Sequence, residues 1–278
     1  MVDDSGLPPS PPSLTVLTYN VRYANPNDAE QVWENRRDDV ASCIRFHRPQ
    51  LVGLQEAAPE QVRDLSERLP AFEWLTGGRS ESENAGEYVA IGYDADYLDA
   101  ESEDEFWLSE TPSEPGSRGW DAMLPRLVRY SRFRDRRTDD VFYHFNTHFD
   151  HRGETARLES ARLLRDRIDD VAAETPFVVT GDFNARPSTD VYRTLTAERE
   201  HGRALVDAHY RSDIPHHGPL TTMTDFHDLV PEKKIDYVFV SEELDVNVHG
   251  TCSDLDEEGQ YPSDHLPILT VVQYNHTA

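Results

Sequence analysis

Short apolar runs alternate along the chain with longer stretches whose apolar positions recur at helical spacing. The runs at 14–20 (LTVLTYN), 51–55 (LVGLQ), 87–93 (EYVAIGY), 126–134, 141–147 (VFYHFNT), 176–180 (PFVVT), 235–240 (IDYVFV) and 267–274 (PILTVVQY) predict β-strands. Helical patterns cover 30–47, 59–68, 154–173 and 188–197, the last opening after Pro187 with Ser188 as the expected cap. No internal repeat and no interior linker interrupts the alternation. It predicts one α/β domain over 14–278, with sheets buried between helical layers. The first 13 residues, MVDDSGLPPSPPS, read as a disordered tail. Residues 77–86, 109–119, 211–219 and 252–262 read as exposed loops.

Composition adds a habitat. Against 53 Asp and Glu stand 27 Lys and Arg, a formal charge of -26, and only Lys233 and Lys234 among the basic residues are lysine. Such a surface repels nucleic acid and itself at low salt, whereas at about 1 M salt the screening length falls to roughly 3 Å. Acidity with almost no lysine therefore predicts a protein of concentrated salt, a halophilic source. There are 27 aromatic residues, which argue against disorder. No run of about 18 apolar residues suggests a membrane span. The acidic N-terminus lacks the charge of a secretory signal, so a cytoplasmic location is expected. Two cysteines, Cys43 and Cys252, stand too far apart in sequence to predict a disulfide framework or a Cys-based zinc site.

Groups that bind metal or move protons recur at the ends of the apolar runs. Asn20 ends the first, Glu56 follows the second, and His148 and Asp150 follow VFYHFNT. Asp182 and Asn184 lie in GDFN, Asp236 opens IDYVFV, and Asp264 and His265 precede the last strand. Any one of them could be a turn residue. As a set on separate strands of one polarity they predict a site at the strand ends. Glu56, Asp264 and Asn20 are hard oxygen donors that favour magnesium or manganese, the ions suited to phosphoryl chemistry. No G-x-S-x-G element supplies a covalent nucleophile, which leaves water as the attacker.

In this order and at these intervals, TYNVR, LQEA, NTHFD, GDFN-x-x-P, IDY and SDH-x-P resemble the endonuclease/exonuclease/phosphatase superfamily, over about Leu14 to Tyr274. The resemblance implies a four-layer α/β/β/α sandwich, two mixed sheets packed face to face with helices outside, and magnesium-dependent phosphoester hydrolysis. It implies Glu56 as principal metal ligand with Asn20 and Asp264 nearby. Asp182, helped by Asn184, would orient or deprotonate the water, and Asp236 would hold the ring of His265. His148 would bind phosphate or protonate the leaving oxygen, with Glu87 as its carboxylate partner. Either Asp182 or His265 could be the base.

Several arginines carry a further expectation. Arg22 stands where abasic-site endonucleases of this superfamily have an Asp, which argues against abasic-site repair and offers a phosphate contact or a plain surface arginine. Arg157 shares a helical stripe with Ala161, Leu164, Ile168 and Val171, so it points inward and needs an anionic partner, structural or substrate. Arg126, Arg132, Arg134 and Arg136 share a strand face. They form either a phosphate track or, the first choice in so acidic a chain, a face paired with acids, Arg126 excepted. Trp33 belongs in the core, while Trp107 and Trp120 are candidates to line a site. His209, His216, His217 and His227 read as scattered surface residues. A nuclease acting on DNA or RNA is the leading expectation, with a phosphatase of a small metabolite or lipid head group as the alternative. A catalytically inactive binding module is the remaining rival, and no obligate protein partner is evident.

Overall fold

The computed structural model describes residues 12–79 and 86–275, so most of the expected tail and the middle of the 77–86 loop lie outside the described residues. Twelve strands form two six-stranded mixed sheets. The first contains β1 (Leu14–Asn20), β2 (Leu51–Ala57), β3 (Phe72–Leu75), β4 (Tyr88–Asp94), β11 (Leu244–Thr251) and β12 (Ile268–Tyr274), ordered β11-β12-β1-β2-β4-β3. The second contains β5 (Leu98–Trp107), β6 (Leu127–Asp135), β7 (Val141–His148), β8 (Phe177–Asp182), β9 (Val206–Asp207) and β10 (Asp236–Val240), ordered β5-β6-β7-β8-β10-β9. Helices α1 (Trp33–His47) and α2 (Pro59–Arg68) cover the first sheet through Trp33, Val40, Ile44, Val62 and Leu65. Helices α3 (Glu154–Ala172) and α4 (Asp190–Thr196) cover the second through Ala161, Leu164, Ile168, Val191 and Leu195. A short α5 (Ala208–Arg211) completes the helices. The expected four layers are present.

The eight expected strands form, each within two residues of its expected ends. Four further strands escaped the apolar pattern. β5, LDAESEDEFW, is the clearest case: its acids face the arginines of β6, Glu101 meeting Arg132 and Arg134, Asp99 meeting Arg136, and Glu103 and Glu105 meeting Arg129. A charged edge strand of this kind resists pairing with another sheet. The arginine track is thus the acid-paired face. The α4 cap is Thr189, whose hydroxyl accepts from the Tyr192 amide, in place of Ser188. The first helical segment divides into a 3-10 turn at Ala29–Gln31 and α1.

Strand alternation explains where polarity enters. Successive side chains point to opposite faces, so residues i, i+2 and i+4 share one face. On the facing surfaces of the sheets, Leu14, Val16, Leu51, Phe142, Val178 and Val240 form an apolar layer at one end. The next residues along the same faces are Thr18, Gln55, His144, Asn146 and Thr180, all fully buried. Asn146 accepts from Gln55 Nε2 at 2.7 Å and Thr180 Oγ1 at 3.0 Å, and donates to the carbonyls of Leu54 and Ala90. A network with every position of this amide used fixes one sheet against the other. Gly53 admits it, because a Cβ there would collide with Thr180 Oγ1 and Asn146 Oδ1. One step further the same faces deliver Asn20, His148 and Asp182.

Candidate active site

β1 and β2 run parallel, as do β7 and β8, so their C-terminal ends converge, and antiparallel β10 places Asp236 directly opposite Asp182. A bulge between Leu54 and Ala57 turns the Glu56 side chain toward the same end, with Glu56 at φ 61°. Arg22 (φ 55°) and Asn184 (φ 48°) are also left-handed. Of the ten left-handed non-glycine residues among those described, these three, each costing on the order of 1–3 kcal/mol, stand at this site.

Asp182 lies at the centre. Its Oδ2 accepts from Asn20 Nδ2 at 3.1 Å and lies 3.4 Å from His148 Nε2 and 3.9 Å from His265 Nε2, while Oδ1 accepts from the Asn184 amide at 2.9 Å. Burial first, then the neighbouring Asp236, pushes its pKa up to about 7. Asp236 Oδ2 takes the Nδ1 of His265 at 2.9 Å and the hydroxyl of Thr222 at 2.6 Å. Burial by itself would lower His265, but Asp236, Asp182 and Asp264 outweigh it and hold the ring well above its ordinary value, as imidazolium. His148 goes the other way: burial, then the Arg126 and Arg79 cations, keep it neutral. Although its Nε2 faces Asp182, two guanidiniums and a dry site outweigh one shared carboxylate.

Asn20 donates to Glu56 Oε1 at 3.2 Å as well as to Asp182, and its own oxygen accepts from the Arg22 amide. It therefore bridges two carboxylates with its nitrogen. Glu56 Oε2 accepts from the Tyr23 amide, and Asp264 has its pKa raised, by burial first. The donor set fits a hard divalent cation. Four carboxylates converge, Asp182 and Asp236 buried and Glu56 and Asp264 half-buried, with Asp182 and Asp264 held back from ionising and Asp236 Oδ1 buried without a hydrogen bond. Ligating atoms of Asp182, Asp236 and His265 lie within 4.8 Å of one another.

These groups floor a cleft of about 840 Å³ lined also by Arg22, Arg79, Arg126, Arg157, Arg186 and Lys233. Arg22 is clamped by Asp28 (3.0 and 3.1 Å) and reaches Asp264 at 3.6 Å. Arg126 is buried, with His151 Nδ1 at 3.3 Å and Asp150 at 3.8 Å. Arg157 does turn inward, but its partner is the main-chain carbonyl of Asp150 in place of an anion. Glu87 pairs with Arg79 at 2.9 Å, and among the described residues no ion pair joins it to His148. Neither Trp107 nor Trp120 lines this cleft. Trp107 is core, as is Trp33. His217 and His227 are exposed, but His209 and His216 are not scattered: with His249 they bring ring nitrogens within 4.8 Å of one another.

Sequence reasoning missed Arg79, Arg186, Lys233, Thr222 and His151. Arg186 stands two residues after Asn184 of GDFN and was readable there. Arg79 comes from a patternless loop, and Thr222 from a coil whose only signal is its fold-dependent approach to Asp236.

Two facing sheets with a carboxylate–histidine array at their strand ends define a phosphoester hydrolase fold. Residues 17–265 match the model of the endonuclease/exonuclease/phosphatase family, and the chain belongs to that family. An endonuclease/exonuclease/phosphatase from Bacteroides vulgatus is 34% identical, with a TM-score of 0.89 over 95% of this chain and 99% of that one. A mannosyl-6-phosphatase from Bacteroides thetaiotaomicron is 32% identical, with a TM-score of 0.86 over 94% of this chain and 100% of that one. An uncharacterized protein of Acanthamoeba polyphaga mimivirus is 25% identical over 252 residues, 87% of this chain and 92% of that protein. No helix among the described residues is long and apolar enough to cross a membrane.

Proposed function

We propose that the chain is a magnesium- or manganese-dependent phosphomonoesterase acting on a small, hydroxyl-rich phosphorylated metabolite. One observation carries the choice over a nuclease: Arg186 and Lys233 line the cleft without an ion pair among the described residues, while the outward arginines of the β6 face are paired with acids. Arg132, Arg134 and Arg136 are engaged by Glu101 and Asp99, so no open cationic track is offered to a polynucleotide backbone. The cleft volume of about 840 Å³ suits a metabolite, and among the described residues Tyr23 is the one Phe, Tyr or Trp along its walls, too few for stacking successive bases. The acidic cleft residues Glu87 and Glu154 fit hydroxyl groups. The likeness to a mannosyl-6-phosphatase supports the same reading.

The divided pKa values of the site residues assign roles. Asp182, with its pKa near 7, is the base for the attacking water, oriented by Asn20 and by the Asn184 amide. His265, held charged by Asp236, donates to a phosphoryl oxygen as negative charge develops there. Neutral His148 donates a hydrogen bond at the opposite side of Asp182, and Arg126 binds phosphate from the cleft wall. Glu56 and Asp264 would hold the divalent cation, which supplies charge neutralisation at the phosphoryl group. A panel of sugar phosphates, nucleotides, and single- and double-stranded DNA and RNA, run with magnesium at molar and low salt, tests the reading. Free phosphate from sugar phosphates is expected, and faster cleavage of polynucleotides would reverse the assignment.

A further inference from the structure

The chain has two cysteines, and the fold brings both to one place. Helix α1 presents Cys43 and His47, four residues apart and so one turn apart on a single face. The segment leaving β11 presents Cys252 and Asp254. His47 Nε2 lies 2.8 Å from Asp254 Oδ2, Cys43 Sγ lies 3.8 Å from the same oxygen, and ligating atoms of these three residues lie within 4.8 Å of one another, with Cys252 a neighbouring thiol outside that set. Neither cysteine is in a disulfide; Cys43 is buried and Cys252 half-buried.

We propose that Cys43, His47 and Asp254, joined by the thiol of Cys252 as it closes in, form a zinc site that is structural and separate from the catalytic centre. Two thiolates, an imidazole and a carboxylate are a borderline-soft set of four, suited to Zn²⁺ and not to the magnesium expected at the hard carboxylates of the cleft. Tetrahedral bonds of about 2.3 Å to sulfur and 2.0 Å to nitrogen or oxygen place ligand atoms roughly 3.3–3.8 Å apart. The Cys43–Asp254 separation of 3.8 Å already fits, and the 2.8 Å contact of His47 with Asp254 has to open by about 0.5 Å. A thiol and an imidazole sharing one carboxylate could instead serve a nucleophilic cysteine. Burial argues against that use, since Cys43 is 5% exposed.

The site has a structural purpose in this fold. The connection that begins at Cys252 ends at Ser263-Asp264-His265, so a metal there would tether the catalytic loop to α1. The same connection is already held by Arg36 Nη1 on the Pro262 carbonyl at 3.1 Å and by the Gln31–Gln260 side-chain contact. Zinc would complete that seam at its far end.

Cobalt(II) reports the ligands directly, because thiolate ligation produces a near-ultraviolet charge-transfer band that carboxylate ligation at the cleft cannot. The full chain is reduced, held at molar salt with excess magnesium, and titrated with cobalt, then zinc. One cobalt per chain with the thiolate band is expected, displaced by zinc, and lost in Cys43→Ser and Cys252→Ser. Zinc at about a hundredfold excess over its Kd should raise the thermal midpoint by roughly 5–10 °C in the parent protein and not in either variant. If the variants fail to fold, the parent spectrum still decides. No thiolate band in the reduced parent, or thiols that react equally fast with and without zinc, overturns the site.

Discussion

Asp236→Asn isolates the part of the site that sets its proton balance. The carboxylate accepts from His265 Nδ1 at 2.9 Å and from Thr222 Oγ1 at 2.6 Å, and stands opposite Asp182 across the β8–β10 pair. An amide of the same shape removes the charge that keeps His265 protonated. Its donor nitrogen competes with the ring for orientation. General acid–base and orienting groups of this kind contribute about 10²–10⁴-fold, so kcat should fall by that factor. Stability should change little, within about 2 kcal/mol. Two charge-assisted hydrogen bonds weaken, but the repulsion with Asp182 goes with the lost charge.

The pH profile separates this account from simple damage. Asp236 is, after burial, the chief group raising Asp182, so its neutralisation should move the acid limb of kcat/KM below the value of about 7. It is also the first of the groups raising His265. The variant's residual activity should therefore fall at a lower pH than the parent's as pH rises. Phosphate release followed from pH 5 to 9, with the thermal midpoint as control, measures both limbs. A loss smaller than about fivefold, or a large loss with neither limb moved, refutes the assigned roles.

Arg126→Met should raise KM by roughly 10–100-fold with a smaller effect on kcat, since Asp150 keeps amide donors from Met123, Leu124, Arg152 and Gly153; an unchanged KM would place phosphate elsewhere. Asn146→Leu should cost about 3–5 kcal/mol in denaturant unfolding, because it strands Gln55, Thr180 and two carbonyls between the sheets; a cost under about 1 kcal/mol would show the network to be dispensable. Burial lowers His144 to about 3, so its contribution is complete above about pH 6.5 and is lost as pH falls toward 3, at up to about 1.4 kcal/mol per pH unit. His144→Gln should remove about one proton from that slope in urea midpoints measured against pH, and an unaltered slope would mean that His144 is not buried neutral. Raising salt from about 0.1 M to about 1 M should raise the thermal midpoint by screening the charge of -26; a flat or falling midpoint would refute the halophilic reading.

What the sequence could reveal followed from period and position. A central strand announces itself by apolar residues, as the eight expected strands do, although β11 was missed despite the apolar face of Leu244 and Val246. β5 escaped because its stabilising partners are the arginines of β6, and a ladder of opposite charges has no hydrophobic period. Site residues at strand ends were legible because alternation along each strand fixes which face they share, and the polar layer of Thr18, Asn146 and Thr180 continues the same count into Asn20, His148 and Asp182. Partners that arrive from coil were not legible. Thr222 reaches Asp236, and Arg79 takes Glu87, only because loops without a period happen to end there. The cysteines make the limit sharpest. Sequence separation was read as spatial separation, which holds for local ligand motifs and fails here. β11 and β12 form the antiparallel hairpin beside β1, so the residue after β11 returns to the helix that follows β1. Distance along a chain says little about distance in a sheet once strands adjacent in space are not adjacent in sequence.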